Sequence, residues 1–232
     1  MRIALCILVR NEAECLNVML PRIKSQLSKT YFHGVFAIDG GSTDGSKEIL
    51  VNNGIHVISQ TKRGRGAAVL QAFAEIDADA YLFFSPDGNE DEKDFWKFHR
   101  LLSEGNDLVI GTRMAKGGRN EEDRHLFKPR KWVNNLFNIL ANVFFRRAGP
   151  YVTDSINGYR AITREAAKLC KLSAEDYTIE YQMTIRAFKN RLKVCEFPTL
   201  EDQRLAGMTG APSFETGVQF IKRLYSEFSG LD

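Results

Sequence analysis

Cysteine is sparse in this chain: Cys6, Cys15, Cys170 and Cys195 are the four present among 232 residues, and no two stand close together. That excludes the paired spacings of a zinc site or a dithiol redox motif, and without a secretion signal the four read as buried thiols. Charge of one sign is lacking too. With 32 Lys and Arg against 29 Asp and Glu, the net value is +3, too mild for a nucleic-acid surface. No apolar run is long enough to span a bilayer, and the opening MRIALCILVRNEAE, without a small-residue cleavage site, reads as a strand and not as a signal peptide. The expected compartment is the cytoplasm. No GK[ST] follows a glycine-rich turn, which excludes a Walker loop, and there is no internal repeat or low-complexity tract. What is there is 44% hydrophobic and 26% charged, the balance of a globular chain in which residues 1–232 form one elaborated domain.

Continuous apolar runs alternate with helix-length amphipathic segments through residue 113, the pattern of parallel strands covered on both faces by crossover helices. RIALCILV, GVFAIDG, HVISQ, AYLFFS and DLVIGTR are predicted strands. EAECLNVMLPRIKSQL, DGSKEILVNNG, GAAVLQAFAEI and DEKDFWKFHRLLSEG are predicted helices, the first kinked or ended by Pro21 and the second closed by Gly54. From residue 114 a Gly- and charge-rich loop leads into an appended region. There WVNNLFNILANVFFRR reads as a long aromatic helix, DSINGYRAITREAAKLC as a turn and helix, TIEYQMTIRAFKNR as a helix, KVCEFPTL as a strand and FETGVQFIKRLYSEF as an amphipathic helix. An open α/β sheet binds ligands at the carboxyl ends of its strands.

Four such ends carry the unusual residues: LVRNEAE, IDGGSTDGS, FSPDGNED and IGTR. In the second, Gly40 and Gly41 leave room beside Asp39 for a planar ring or a phosphate, while Ser42, Thr43 and Asp44 can cap the next helix. TKRGRGAAV sets Lys62, Arg63 and Arg65 among glycines before a helix, either a phosphate site at the helix N-terminus or a solvated basic turn. In the third, Asp87 and Asn89 suit Mg2+ or Mn2+, which take oxygen from one or two side chains and the rest from phosphate and water. Glu90, Asp91 and Asp94 read as first-turn acids of the following helix.

In this order LVRNEAE, IDGGSTDGS, RGRGAAVLQAF, SPDGNED, GTRMAKGG and DSINGYRAI resemble the family 2 glycosyltransferases of GT-A fold, above all the branch of dolichyl-phosphate mannosyltransferase and related polyprenyl-phosphate sugar synthases. The resemblance implies a Rossmann-like open mixed sheet flanked by helices, with a nucleotide-sugar-binding half over 1–113 and an acceptor-side helical half over 114–232. It implies inverting transfer of a hexose from a GDP- or UDP-linked sugar, with Mg2+ or Mn2+, to an acceptor such as polyprenyl or dolichyl phosphate at the cytoplasmic membrane face. Val9, Arg10 and Glu12 fall in the family's nucleotide-contacting turn. Asp39 falls at its base-recognising acid, with Gly41 and Ser42 beside it and Arg65 in the basic turn. Asp87 matches the second acid of the Asp-x-Asp metal motif, behind Ser85 and Pro86, and Asn89 a nearby amide that can reach the metal. Arg113 and Arg130 resemble the basic pair that receives phosphate, and Asp154, Gly158, Tyr159 and Arg160 the segment near the acceptor. Arg204 and Gly207 are kept from a late loop.

Three positions depart from the family pattern. Ser85 leaves one carboxylate facing the diphosphate, which implies weaker metal affinity or a larger share for the arginines. Gly40 stands where an acid is common, and Gly210 where the late loop has lysine. A phosphate acceptor needs no general base; a hydroxyl acceptor does, and Asp154 is then the candidate. Transfer to a glycan or other hydroxyl, and a non-catalytic sugar-nucleotide-binding module, are the rival readings. Trp132, Leu136, Ile139, Leu140 and Val143 share a helical face, read first as core or homodimer packing. Phe137, Phe144, Phe145, Arg146 and Arg147 leave peripheral contact with anionic headgroups as the alternative.

Overall fold

The apolar run Ile3–Val9 forms β1, paired with strands on both sides and covered by helices above and below. In the computed structural model, which describes residues 1–124, 128–206 and 213–230, Ala4 and Cys6 enter one core and Ile3, Leu5, Ile7 and Val9 the other. This is the alternation a pleated strand imposes. With β2 (Gly34–Asp39), β3 (His56–Ser59), β4 (Ala80–Phe84), β5 (Leu108–Thr112), β6 (Arg160–Thr163) and β7 (Val194–Pro198) it makes a seven-stranded sheet of order β3-β2-β1-β4-β6-β5-β7. Only β6 runs against its neighbours, antiparallel to both β4 and β5. The sheet is thus open and mixed, as expected.

Helices α1 (Ala13–Leu27), α2 (Ser46–Asn52) and α4 (Phe95–Ser103) cover one face. The other carries α3 (Arg65–Glu75), α5 (Pro129–Phe145), α6 (Arg164–Cys170), α7 (Ile179–Lys189) and α8 (Ser213–Ser229). Pro21 does not end α1. It and Asn17, whose carbonyl loses its amide partner, both lie on the exposed side, where water replaces the missing bond.

Two expectations are corrected here. RAIT, read as part of a turn and helix, is strand β6, and only its last residue turns toward α6, where the Thr163 hydroxyl accepts the Ala166 amide at 3.2 Å. Four residues are too few for a period to declare itself; pairing with β4 and β5 decides the matter. The face of α5 read as core or homodimer packing is not core: it is largely exposed in the single chain, with Leu136, Ile139 and Val143 each about half or more open to solvent and Leu140 packed in part. The buried face holds Phe137, Asn138, Ala141, Asn142 and Phe145. The reason is polar. Asn142 exchanges two bonds with the Val152 backbone, at 2.7 and 3.0 Å, and Asn138 bonds Thr153 and Ser155, so these asparagines turn inward to satisfy the 152–155 loop. Cys6, Cys15 and Cys170 are buried, and Cys195 is partly so. Among the described residues no helix is long and apolar enough to cross a membrane.

Candidate active site

The strand order reverses at β1, and at the carboxyl ends of β1 to β5 a cavity of about 670 Å³ opens. Leu8, Val9, Ile38 and Ala68 give it an apolar floor, and Arg10 stands exposed at its edge. Gly40 borders it, and a β-carbon there would lie 2.8 Å from Gln60 Oε1 and 3.3 Å from Arg10 Cβ, so that the Gln60 side chain would have to shift. Asp39, 3% exposed, turns back to accept the Ser42 amide, and Ser42 Oγ accepts the Asn11 amide at 2.9 Å. Asp39, Gly41 and Ser42 therefore build the turn, and Gly40 and Gln60 form the adjoining wall. Asp44 joins two helix starts, accepting from Ser46 and from the Ala13 amide. Burial opposes its ionisation, yet these bonds hold its carboxyl below the ordinary value.

The acid turn after β4 is bridged by a residue from the far end of the chain. Asp87 Oδ2 accepts Arg204 Nη1 at 2.8 Å, and Arg204 Nη2 donates to Glu12 Oε1 at 2.7 Å. The strap that carries Arg204 is bonded onto the turn, Leu205 N to Asp87 O at 2.9 Å and Asp202 N to Asn89 O at 3.1 Å. Gly88, at φ +89, allows the contact, since a β-carbon would lie 2.5 Å from Leu205 Cγ. Burial raises the Asp87 carboxyl above its ordinary value. Among the described residues no three His, Cys, Asp or Glu side chains gather around one point. A divalent cation would therefore have Asp87 and Asn89, with phosphate and water completing its shell. The fit is favourable, because Asn89 Oδ1 is buried without a hydrogen-bond partner.

Glu90, expected on the helix, instead folds beneath the turn and accepts the Ser85 amide at 2.7 Å. Helical structure begins only at Glu92, after Asp91 caps it. Burial, and then the charge of Asp87, push the Glu90 carboxyl up to about 8. The native chain then holds a proton that the unfolded chain releases near 4.5. That contribution to stability is complete below the unfolded value and is lost as pH rises through the folded one. Without divalent cation, wild-type Tm should fall between about pH 6 and pH 9 and fall less in Glu90→Gln; parallel Tm profiles would remove the assignment.

Three arginines stand where β4, β5 and α5 converge. Arg65 donates to Glu180 through Nε and to Ser85 Oγ at 3.3 Å, and it passes directly over Gly158, where a side chain would collide with its guanidinium. Arg113 gives Nε and Nη2 to Asp154, at 2.8 and 3.1 Å, and Nη1 to Glu201 at 2.9 Å. Arg130 is exposed and donates to Glu121 Oε1 at 3.3 Å. A second cavity of about 520 Å³ shares Arg65, Arg113, Arg130, Glu121 and Tyr177 with the first. Its further walls are half apolar, with Val133, Phe137, Ile156 and Phe220 set among polar residues such as Glu122 and Lys131.

The fold thus brings Val9, Arg10, Glu12, Arg65, Ser85, Asp87, Asn89, Arg113, Arg130 and Arg204 to one cavity. Others lie behind it. Arg160, expected to bind substrate, is 1% exposed and bonds the Asn157, Glu180 and Ser155 carbonyls and Thr184 Oγ1. Burial lowers it to about 10; it ties the 155–157 loop to α7. Asp154, 0% exposed, borders neither cavity and faces Arg113. Pro86 is buried within the turn. The N-terminus of α3 is no phosphate site: its Gly66 and Ala67 amides donate to the Asp176 and Glu175 carbonyls. Gly64 and Gly66 serve the close approach of that backbone. Gly207 and Gly210 lie outside the described residues. Gln60, Glu121, Tyr177 and Glu201 escaped notice in the sequence; no local pattern marks them, and they reach the cavity from loops and strand ends or, for Glu121, from the start of a 3-10 turn.

A family profile described as glycosyl transferase family 2 matches residues 4–167. Glycosyltransferase AglJ of Haloferax volcanii is 33% identical over 199 residues, covering 84% of this chain and 62% of AglJ, so the chain spans less than two thirds of that relative. The UDP-N-acetylglucosamine–dolichyl-phosphate N-acetylglucosaminyltransferase of Methanococcus voltae is 26% identical over 204 residues, 78% of this chain and 79% of its own. Glucosyl-3-phosphoglycerate synthase of Mycobacterium tuberculosis, crystallised with Mn2+, UDP and phosphoglyceric acid, superposes with a TM-score of 0.72 at 21% identity, over 97% of this chain and 78% of that one.

Proposed function

The chain belongs to glycosyl transferase family 2 and is a glycosyltransferase of GT-A fold, and from that premise we propose that it moves a hexose, with inversion, from a nucleoside-diphosphate sugar to the phosphate of a polyprenyl or dolichyl phosphate. One observation carries the reading: a polar cavity at the strand ends and a half-apolar cavity meet across a shared wall of Arg65, Arg113 and Arg130. The nucleoside would lie over the apolar floor of Leu8, Val9, Ile38 and Ala68, beside Gly40 and Gln60. The diphosphate then lies toward Asp87, Asn89 and Arg204. A divalent cation held by Asp87 and Asn89 would neutralise charge on the leaving diphosphate. Arg204 and Arg65 add fixed positive charge there without needing to reorganise. Arg130, weakly engaged by Glu121, is the cation best placed to receive the acceptor phosphate. A phosphate oxygen forms the new bond to the anomeric carbon as the bond to the diphosphate breaks, and attack opposite the leaving group inverts that carbon. The acceptor is already anionic, so no base is needed. Asp154 serves instead as a positioning residue, holding Arg113 in the shared wall.

A second reading, transfer to a hydroxyl, is favoured by Glu121, which borders both cavities and whose carboxyl is raised by burial and by Glu201. UDP- and GDP-hexoses, with and without Mn2+, offered to a polyprenyl phosphate and to an alcohol-terminated glycan, decide between them. The first reading expects lipid-phosphate product and its survival in Glu121→Gln. Product only on the hydroxyl, abolished in Glu121→Gln, supports the second. Donor binding without turnover on either acceptor sinks both and leaves a binding module.

A further inference from the structure

Helices α5 and α8 lie side by side and run the same way, since Phe137 meets Phe220 at 5.2 Å and, eight residues on along each helix, Phe145 meets Phe228 at 4.7 Å. Outward from that seam each helix shows an apolar stripe. On α5, Leu136, Ile139, Val143 and Phe144 are 53%, 49%, 67% and 44% exposed; on α8, Ile221, Tyr225 and Phe228 are 62%, 69% and 52% exposed. Phe144 and Phe228, 5.0 Å apart, join the two stripes into one face. Single exposed apolar residues are ordinary, but a joined row of this kind marks a contact surface.

Charge selects the partner. α5 contains no acidic residue, and of the two acids in α8, Glu227 is buried against Arg186 and Lys189. Arg146 and Arg147, at the end of α5, and Lys222 on α8 are exposed cations, against Glu215 as the exposed acid of the two helices. A second copy of the chain would set these cations against each other without acids on α5 to answer them. An anionic headgroup layer answers them all, and amphipathic helices with basic rims lie on such layers. The N-terminal ends of both helices also line the half-apolar cavity, through Pro129, Val133, Thr216 and Gly217. We infer that the joined face of α5 and α8 rests on an anionic phospholipid surface, which sets the mouth of the acceptor cavity at the bilayer. This inference rests on the lipid-phosphate reading for its purpose, though not for its test.

The test is co-sedimentation of the purified chain with phosphatidylcholine vesicles with or without phosphatidylglycerol. Binding should require the anionic lipid and weaken as salt rises. The double variant Ile139→Asp/Ile221→Asp should bind at least about tenfold more weakly. Its Tm and its transfer to a short, water-soluble polyprenyl phosphate should stay at wild-type values, because neither residue lines either of the two cavities described. Equal binding of wild type and variant to anionic vesicles, no binding by wild type, or a wild-type dimer that the double variant converts to monomer would each overturn the inference. Vesicle binding by a wild type that glycosylates only alcohols supports the docking face and overturns the acceptor assignment.

Discussion

Asp87→Asn is expected to lower kcat/KM for sugar transfer about a thousandfold, roughly 4 kcal/mol of transition-state stabilisation. The size follows from how much one carboxylate does. Of the acids in the turn after β4, Asp87 is the one that borders the cavity, beside Ser85 and Asn89. Its second task is to hold Arg204, whose other partner is Glu12 on the opposite side of the crevice. Asparagine keeps the shape and can still accept the Asn89 amide, but it gives a cation no negative charge and leaves Arg204 with one acid instead of two. Stability should move little, because replacing a carboxylate whose ionisation burial already opposes removes a cost as well as a contact. Kinetics across a Mn2+ series, alongside a melting curve, separate these effects. Transfer within about threefold of wild type, with the same Mn2+ dependence, would move the diphosphate site away from this turn.

Arg113→Ala should have the largest effect on stability, about 3 to 5 kcal/mol. Its guanidinium is spread over two carboxylates: Asp154, fully buried, takes two side-chain bonds and the backbone amide, and Glu201 takes a third nitrogen. Burial alone would depress the arginine, yet Asp154 and Glu201 hold it well above its ordinary value. Truncation therefore strands one buried acid and one nearly buried acid, and uncompensated buried charge is what makes the loss large. For a chain of this size that corresponds to a fall in Tm of about 10 °C. The double variant Arg113→Ala/Asp154→Asn should recover part of the Tm but little of the transfer, since it removes the stranded charge without restoring the cation in the wall. If the single variant keeps its Tm, the triad is not what anchors β5 to the loop at 153–155. If it keeps its transfer rate, Arg113 is not part of the shared wall's chemistry.

Much of the fold could be read from the chain. The first five strands and the helices between them follow from apolar runs and their periods, and the strand ends stand out because Asp39, Gly40, Asp87 and Gly88 interrupt those runs. The polar side of the candidate site was legible for that reason: Arg10, Glu12, Asp87 and Asn89 sit where strands stop. The misreadings share a cause. The stripe of Leu136, Ile139 and Val143 looks like core until the 152–155 loop draws Asn138 and Asn142 inward instead. Arg160 looks like a binding residue until four oxygen atoms around it are found to be its own chain's. Glu90 looks like a helix acid until the Ser85 amide claims it.

Apolar runs and their periods act over a few positions, so the chain alone determined its first five strands, the layers of helix that cover them and the edge where a ligand must lie. Which carboxylate answers which arginine was decided only in three dimensions. Arg204 and Glu12 are 192 positions apart, and Arg113 and Glu201 are 88 apart. A charge far along the chain carries no local signature of its partner. Only close approach under burial makes that pairing strong enough to dictate which side chains remain to meet a substrate.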